Sequence, residues 1–271
     1  MGYDLIIENG LVVDGTGTPG THDSVGITGT KITAIGDLTT AETARRIDAS
    51  GHVVSPGFID THAHADGALL IDGQHAEGIR QGITTELVGP DGLTYAPLPH
   101  DMYLMYRQYL SGLLGLPPKD LDMSSISSAL NNYHNKTAPN VAMFLGHGPI
   151  RVGAVGMEDV PLRGEVLKQA VRTMEESFEQ GACGFATGLS YYPNSFSDSE
   201  ELVQLCKVAA RYGKTFSVHT RNHNVDRAYF GGGVEEALEI GRRSGVKVHI
   251  EHYRTSAANA GCVDEIMEPI E

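Results

Sequence analysis

The chain has 271 residues, of which 41% are hydrophobic and 20% charged, a composition typical of a globular protein that buries a substantial core. Its formal net charge of −14, with no cluster of Lys and Arg, would be repelled by a phosphate backbone and argues against nucleic-acid binding. No run approaches the roughly 18 apolar residues of a membrane span, and the N-terminus lacks the features of a signal peptide, so we expect a cytoplasmic protein without membrane contact.

Residues 1–55 predict a small unit of short β-strands. Segments rich in Ile and Val alternate with turn residues such as Asn9-Gly10 and Gly36-Asp37. The predicted strands are Tyr3–Glu8, Leu11–Asp14, Ser24–Thr28, Lys31–Ile35 and His52–Ser55. Because the connections between them are short, we expect the strands to pair in antiparallel fashion.

Residues 56–271 change to an alternation of strands and helices, which predicts a parallel sheet covered on both faces. The predicted strands are Phe58–Thr61, Ile83–Val88, Val141–Leu145, Cys183–Thr187, Thr215–His219 and Val246–Glu251. Helical patterns lie between them, including Gly164–Gln180 and a helix that a capping box of Ser197 and Glu200 opens. Without a nucleotide-binding glycine pattern, this order favours an α/β fold of the (β/α)8 TIM-barrel type over a dinucleotide-binding sheet.

Six strands do not complete such a barrel, which needs eight strands and about 250 residues of its own. We therefore expect an incomplete (β/α)8 barrel, truncated before strands 7 and 8, so that the chain is a fragment. Unpaired strand edges in such a fragment favour aggregation or association with another chain, and a homo-oligomer stays open.

Metal-binding residue types recur at the ends of the predicted strands. His62 and His64 follow the first strand as a His-x-His pair, and in an extended chain both side chains point to one side. Further candidates follow other strands: Asp91, His147, His219 and His252. Alternation along the sixth strand places His249 on the opposite face from His252, so only His252 is taken as a ligand. A single histidine at a strand end is more often structural, but this recurrence, with nitrogen and carboxylate donors, predicts a zinc site rather than a calcium or magnesium site.

Several segments resemble one known family. Residues 56–66, PGFIDTHAHAD, together with DLIIENGLVVDGTGTPG at 4–20, resemble the amidohydrolase superfamily. GACGFATGLSYYP at 181–193, SVHTRN at 217–222 and VHIEHYR at 248–254 resemble the GAxGxSTGxxYxP, THMR and ISHxK segments of the N-acyl-D-amino-acid deacylases, or D-aminoacylases. The resemblance covers almost the whole chain and implies a small β-sandwich followed by a metal-dependent hydrolase barrel.

The resemblance also implies roles for individual residues. His62 and His64 match the pair that holds the weaker metal position, and His219 and His252 match ligands of the tightly bound zinc. Tyr191 matches a tyrosine that touches the substrate or the developing oxyanion.

Two further positions are carried over with roles near the substrate. Arg221 follows the fifth-strand histidine and is expected to pair with a substrate carboxylate, although a structural contact is an alternative. His147 is expected beside the pocket rather than on the metal, as a second candidate to donate a hydrogen bond to the oxyanion.

One segment departs from the family pattern. The deacylases carry Gly-Asn-Cys-Gly after the second strand, with the Cys as a zinc ligand, whereas this chain has Gly89-Pro90-Asp91-Gly92. Asp91 can bind zinc through oxygen or bridge two zinc ions, and the alternative is that it only caps a turn. The number of ions, one or two, stays open.

The resemblance implies a hydrolase acting on a carbon–nitrogen bond other than a peptide bond. We expect deacylation of an N-acyl-D-amino acid, or a related small-molecule amide, by zinc-activated water. The general base of the family is an Asp at the end of the eighth strand, expected beyond this chain, so the fragment itself is expected to be inactive. One alternative is a cyclic-amide hydrolase of the hydantoinase or dihydroorotase kind, which a carboxylated Lys on the fourth strand would favour, but that strand has no Lys. The other is an inactive remnant that only binds metal.

Overall fold

The computed structural model describes residues 2–254 and 260–270. The chain divides into two units, Met1–Phe58 and Ile59–Glu271. The boundary expected from the sequence, after residue 55, lies three residues before this division. No helix in the described part of the chain is long and apolar enough to cross a membrane.

The first unit consists of β-strands in two sheets. Its strands are β1 Tyr3–Glu8, β2 Leu11–Val12, β3 Ser24–Thr28, β4 Lys31–Gly36, β5 Thr43–Asp48 and β6 Val53–Val54. One sheet has the order β4-β3-β1-β5 and the other pairs β2 with β6. Ile6 on β1 and Val25 on β3 are buried in this unit.

The expectation of purely antiparallel pairing in this unit is wrong. β1 pairs with β3, and β3 with β4, in antiparallel fashion, but β1 pairs with β5 in parallel, as does β2 with β6. The sequence pattern does not indicate β5, because it is an edge strand with two Arg side chains, Arg45 exposed and Arg46 partly buried, and so lacks the apolar run that marks the other strands.

The second unit carries six strand positions, as the sequence predicts. Its strands are β7 Phe58–Asp60, β8 Ile83–Val88, β9 Asn140–Met143, β10 Leu145–Gly146, β11 Gly184–Gly188, β12 Thr215–His219 and β13 Lys247–Ile250. The sheet orders are β7-β8-β9 and β10-β11-β12-β13. β9 and β10 are halves of one strand position, since only Phe144 separates them and its N–H donates to the Val88 carbonyl at 2.9 Å.

Helices connect these strands. They are α1 Asp66–Ile71, α2 Ala76–Ile79, α3 His100–Tyr109, α4 Ser111–Leu114, α5 Ile126–Tyr133, α6 His147–Val155, α7 Gly164–Glu179, α8 Ser199–Arg211, α9 Gly233–Ser244 and α10 Val263–Met267. Short 3-10 turns lie at Pro90–Gly92, Asn194–Phe196, Val225–Arg227 and Tyr229–Gly231.

Two helix starts differ from the sequence expectation. The cap of α8 is Asp198, whose carboxylate accepts the Glu201 N–H at 2.9 Å, whereas the Ser197 hydroxyl donates to the Asn194 carbonyl. α6 was not predicted, because Gly148 and Pro149 in its first turn suggest a loop.

The core lies between the strands and the helices. β8 pairs with β9 in parallel, and so do β10 with β11, β11 with β12, and β12 with β13. Phe185 and Phe216 are fully buried on neighbouring strands, with stacked rings 5.6 Å apart. Parallel strands joined by crossover helices, which do not close among the described residues, form the predicted incomplete (β/α)8 barrel. The carboxyl ends of these strands therefore meet along one edge, where a barrel of this class carries its site.

Candidate metal centre

Four histidines and two carboxylates meet at the carboxyl ends of the strands. They are His62, His64, Asp91, His219, Glu251 and His252. One ligand atom from each of His62, Asp91, Glu251 and His252 lies within 4.8 Å of the other three. The structure therefore brings together all five residues that the sequence analysis named as ligands, and adds Glu251 to them.

Asp91 is the central member of this cluster. Its Oδ2 lies 3.5 Å from His64 Nε2. Its Oδ1 lies 3.7 Å from His219 Nδ1 and 3.7 Å from His252 Nε2. The carboxylate therefore faces one histidine with one oxygen and two with the other, which is the arrangement needed to bridge two ions.

The backbone around Asp91 is held in an uncommon conformation. Gly89, Asp91 and Gly92 all have positive φ, at 82°, 57° and 67°. A Cβ on Gly92 would lie 2.4 Å from the Ala186 carbonyl oxygen, so only glycine fits there. Asn194 Nδ2 donates to the Asp91 carbonyl at 3.0 Å and fixes the turn from the side.

The Asp91 side chain does not serve as a turn cap. It is 2% exposed, and its Oδ1 has no hydrogen-bond partner among the described residues. A buried carboxylate oxygen without a donor is costly, and it faces two imidazoles that have lone pairs of their own. This orphaned acceptor fits a bound cation.

The chain leaves the extended conformation directly after β13. The strand ends at Ile250, and His252 has a φ of 32°. Strand alternation therefore ceases at this point, and both Glu251 and His252 reach the cluster. His252 Nε2 lies 2.9 Å from His219 Nδ1, and the two rings are 4.6 Å apart.

Glu251 is the member of the cluster that the sequence pattern did not indicate. Glu251 directly precedes His252. In an extended strand, neighbouring side chains point to opposite faces, so alternation excludes Glu251 from the metal site for the same reason that it excludes His249. An acidic residue next to a strand-end histidine was the available signal. His249 itself is exposed, as that rule predicts.

The two carboxylates respond in opposite ways to their common burial. Burial acts to raise the pKa of Asp91, but hydrogen bonds from His64 and Glu251 and the nearby His219 and His62 outweigh it and lower that pKa. Burial and the adjacent Asp91 raise the pKa of Glu251 to about 9. A cation bound beside them would favour the ionised form of both carboxyl groups.

Two histidines of the cluster, His62 and His219, favour the neutral form. Burial is the main cause that lowers the pKa of His62 and of His219, and neighbouring imidazoles add to it. Neutral imidazole is the form that binds a metal, so these two residues offer nitrogen donors in the correct state. This donor set fits zinc or a neighbouring first-row ion.

Tyr191 lies beside the cluster. Its hydroxyl is 3.5 Å from His219 Nδ1, and the two rings are 4.7 Å apart. A Cβ on Gly188 would lie 2.4 Å from the Tyr191 ring, so a glycine there makes room for the tyrosine. Burial, with Asp91 and Glu251 nearby, raises the pKa of Tyr191, which keeps its hydroxyl protonated as a donor.

His147, the first residue of α6, is enclosed by protein, contrary to the expectation of a residue beside the pocket. It is fully buried, with Nδ1 2.8 Å from Thr187 Oγ1 and Nε2 2.9 Å from Glu201 Oε1. Burial lowers the pKa of His147, so the ring is neutral, and Nε2 carries the hydrogen because a carboxylate only accepts. With both nitrogens engaged it has no donor left for an oxyanion, and its role is structural.

Arg221 is likewise turned away from the expected substrate. Its Nε donates to Glu236 Oε2 at 2.9 Å. Its two terminal nitrogens donate to the carbonyls of Ser195 and Ser197 at 2.9 and 3.0 Å. Each of its three guanidinium nitrogens therefore donates a hydrogen bond within a buried network. Arg221 holds the loop that contains Ser195 and Ser197, which is the structural contact given above as the alternative to a substrate contact.

The chain is similar to known hydrolases. The model of the amidohydrolase family matches residues 53–258. The N-acyl-D-glutamate deacylase of Alcaligenes xylosoxydans xylosoxydans is 38% identical over 256 residues, which are 93% of this chain and 50% of that protein. The chain thus spans about half the length of the curated relatives it matches.

Solved structures show the same likeness. The N-acyl-D-glutamate deacylase of Bordetella bronchiseptica, in complex with zinc and a phosphonate that mimics the tetrahedral intermediate, superposes with a TM-score of 0.87 at 29% identity, over 100% of this chain and 56% of that one. A D-aminoacylase with a binuclear metal centre gives a TM-score of 0.84 at 30% identity, over 99% and 55%. An L-hydantoinase from Arthrobacter aurescens gives only 0.56 at 17% identity, over 98% and 56%, which shows a common fold alone.

Proposed function

The chain belongs to the amidohydrolase family, and from this premise we propose that its metal centre serves the hydrolysis of the linear amide bond of an N-acyl-D-amino acid. The observation that carries the proposal is the buried Asp91 carboxylate facing histidines from three strand ends, with one oxygen lacking any donor among the described residues. The deacylases among its relatives support the choice of a linear amide over a cyclic one.

Zinc is the proposed cofactor, as one or two ions. His62, His64, Asp91, His219 and His252 are the residues that would hold it. A zinc ion supplies Lewis-acid polarisation of a carbonyl group and lowers the pKa of bound water. The zinc of the Bordetella deacylase and the binuclear centre of the D-aminoacylase support this assignment.

Tyr191 is proposed as the catalytic hydrogen-bond donor. Its hydroxyl stays protonated because of burial and the adjacent carboxylates, and it lies beside His219. From there it would donate to the amide oxygen as negative charge develops on it, which stabilises the tetrahedral state more than the planar substrate.

A cleft next to the centre would receive the substrate carboxylate. Its volume is about 260 Å³, and its lining includes His219, Asn222 and Arg254. Since Arg221 is engaged in a buried network, Arg254 is the cation that we assign to this carboxylate, replacing the sequence expectation.

The test is a hydrolysis assay on the longest product of the gene that contains these residues, loaded with zinc. Substrates are N-acetyl-D-glutamate and N-acetyl-D-methionine, with their L-enantiomers and a hydantoin as controls. We expect turnover of the D-forms only. Tyr191→Phe, which keeps the ring and removes the donor, should lower kcat about 100-fold or more and change KM little.

Other outcomes would overturn the proposal in distinct ways. Turnover of the hydantoin alone would replace the linear amide by a cyclic one. Stoichiometric zinc without turnover of any substrate would reduce the centre to a metal-binding remnant. Full activity in Tyr191→Phe would remove that residue from the catalytic step.

A further inference from the structure

We propose that Glu251 is itself a metal ligand, so that one ion is held by oxygens of Asp91 and Glu251 and by nitrogens of His62 and His252, an oxygen-rich set that accepts Mn²⁺ as well as zinc. The inference rests on the metal centre proposed above and not on its substrate. The carboxylate of Glu251 is thus a donor in addition to the five candidate ligands that the sequence indicates.

The distances between the four donor atoms are slightly longer than those in an occupied metal site. Metal bonds of about 2.0–2.2 Å place the donors of a tetrahedral site roughly 3.3–3.6 Å apart. His62 Nδ1 lies 3.7 Å from Glu251 Oε2, and Asp91 Oδ1 lies 3.7 Å from His252 Nε2. All four donor atoms fall within 4.8 Å of one another, so small side-chain movements bring them to ligand distance.

Burial makes the pair of carboxylates incomplete without a cation. Glu251 is 4% exposed and Asp91 2%, and no Lys or Arg nitrogen lies within 4.0 Å of either among residues 2–254 and 260–270. One oxygen of each carboxylate lies within 4.8 Å of the other and of one nitrogen each of His62 and His252. A divalent ion supplies two positive charges and balances both.

Local contacts aim the Glu251 carboxylate at the centre. Ser217 Oγ donates to its Oε1 at 2.6 Å, and the Asp91 N–H donates to its Oε2 at 3.2 Å. The Glu251 N–H donates to the Val218 carbonyl at 2.9 Å, which anchors its backbone to β12. Oε2 lies 3.7 Å from His62 Nδ1, and this oxygen is the one we assign to the ion.

The types of donor atom in the site determine which metal ions it binds. Carboxylate oxygens are harder donors than thiolate or imidazole, and they suit Mn²⁺ as well as zinc. With two carboxylates and two imidazoles, the site should bind Zn²⁺, Co²⁺ and Mn²⁺. Removal of one carboxylate should weaken Mn²⁺ binding more than zinc binding.

The experiment titrates the full chain, freed of metal by a chelator, with Co²⁺ and with Mn²⁺. Glu251→Gln keeps the shape and the acceptor for the Asp91 N–H but is a poor ligand. We expect it to lower Co²⁺ affinity by more than about 100-fold, beyond the roughly 10–100-fold loss typical of residues that only support a ligand, and to change the visible spectrum of the bound Co²⁺. Ser217→Ala is the matched control, since it removes one hydrogen bond to Glu251 and leaves the carboxylate, and its loss should be about tenfold or less.

Glu251→Gln with the affinity and Co²⁺ spectrum of the wild type would overturn the proposal and leave Glu251 as a support of the Asp91 turn. If that variant does not fold, Glu251→Asp decides by competition of Mn²⁺ against Zn²⁺. A changed preference supports a ligand role, and an unchanged one overturns it. Metal binding as expected, with no hydrolysis of N-acyl-D-amino acids, would count against the proposed function alone.

Discussion

Two regions of the second unit bury carboxylates in different ways. Between α6 and α8, Glu201 is fully buried and accepts from Arg151, His147 and the Leu162 N–H at 2.7–2.9 Å. At the carboxyl ends of the strands, Asp91 and Glu251 are nearly as buried, but their nearest cationic candidates are imidazoles. We call the first region the rear network and the second the metal centre.

The two regions differ in where the positive charge beside the buried carboxylates comes from. In the rear network the protein supplies its own countercharge, because the Arg151 guanidinium contacts both oxygens of Glu201. A second such pair joins Arg221 to Glu236. The metal centre lacks a guanidinium and leaves Asp91 Oδ1 without a partner in the described chain. Both oxygens of Glu201 therefore have donors within the protein, although Arg151 Nε has no partner in the described chain, whereas Asp91 Oδ1 has an open position that suits a cation.

The largest expected effect comes from breaking the rear network. Arg151→Met leaves Glu201 buried without its guanidinium, so we expect the free energy of unfolding to fall by about 3–5 kcal/mol. Urea unfolding of the metal-free chain measures it. The control is Arg163→Met, which breaks a pair with Asp198 in which the arginine is 49% exposed and should cost about 1 kcal/mol or less. Equal losses of unfolding free energy in the two variants would contradict the expected difference between the buried pair and the exposed pair.

The metal centre should instead respond to its ligand. Zinc at 100 times its Kd should stabilise the wild-type chain by about 2.7 kcal/mol, seen as a rise in Tm. His219→Ala combined with His252→Ala should abolish this rise and the bound zinc, measured by elemental analysis, while the metal-free Tm changes less. A double variant that still gains stability from zinc would remove these residues from the ligand set.

The smallest effect concerns pH and separates the two regions again. Burial acts to raise the pKa of Glu201, but the hydrogen bond from His147 and the charge of Arg151 outweigh it, so its folded pKa lies below the ordinary 4.5. Its contribution to stability is therefore present above about pH 4.5 and is lost as pH falls through the folded pKa.

Glu201→Gln should flatten this acid limb between pH 5 and pH 3 in metal-free protein, on the order of 1 kcal/mol across it. Unfolding free energies at several pH values measure the slope. If the unfolding free energy of Glu201→Gln falls between pH 5 and pH 3 as steeply as that of the wild type, other carboxylates cause the loss of stability in acid.

The sequence alone predicts the places where strands lie. Ile83–Val88 and Thr215–His219 match β8 and β12 to the residue, because short apolar runs bounded by glycine and polar residues favour buried strands whatever surrounds them. The recurrence of metal-binding residue types after those strands follows from the same reading. Since parallel strands end at one edge, that recurrence also predicts the meeting of His62, Asp91 and His219.

Only the tertiary structure decides which polar residues at that edge are free to act. His147 is engaged by Glu201, 54 residues away, and Arg221 by Glu236, 15 residues away, and no local pattern contains these pairings. Glu251 enters the centre because the backbone turns to a φ of 32° at His252, which ends the alternation that had hidden it. Local sequence pattern therefore determined most of the strands and helices and the candidate ligands. Long-range pairing and one backbone turn determined which of the polar residues face the centre, because a buried polar group bonds to whichever partner the fold brings near.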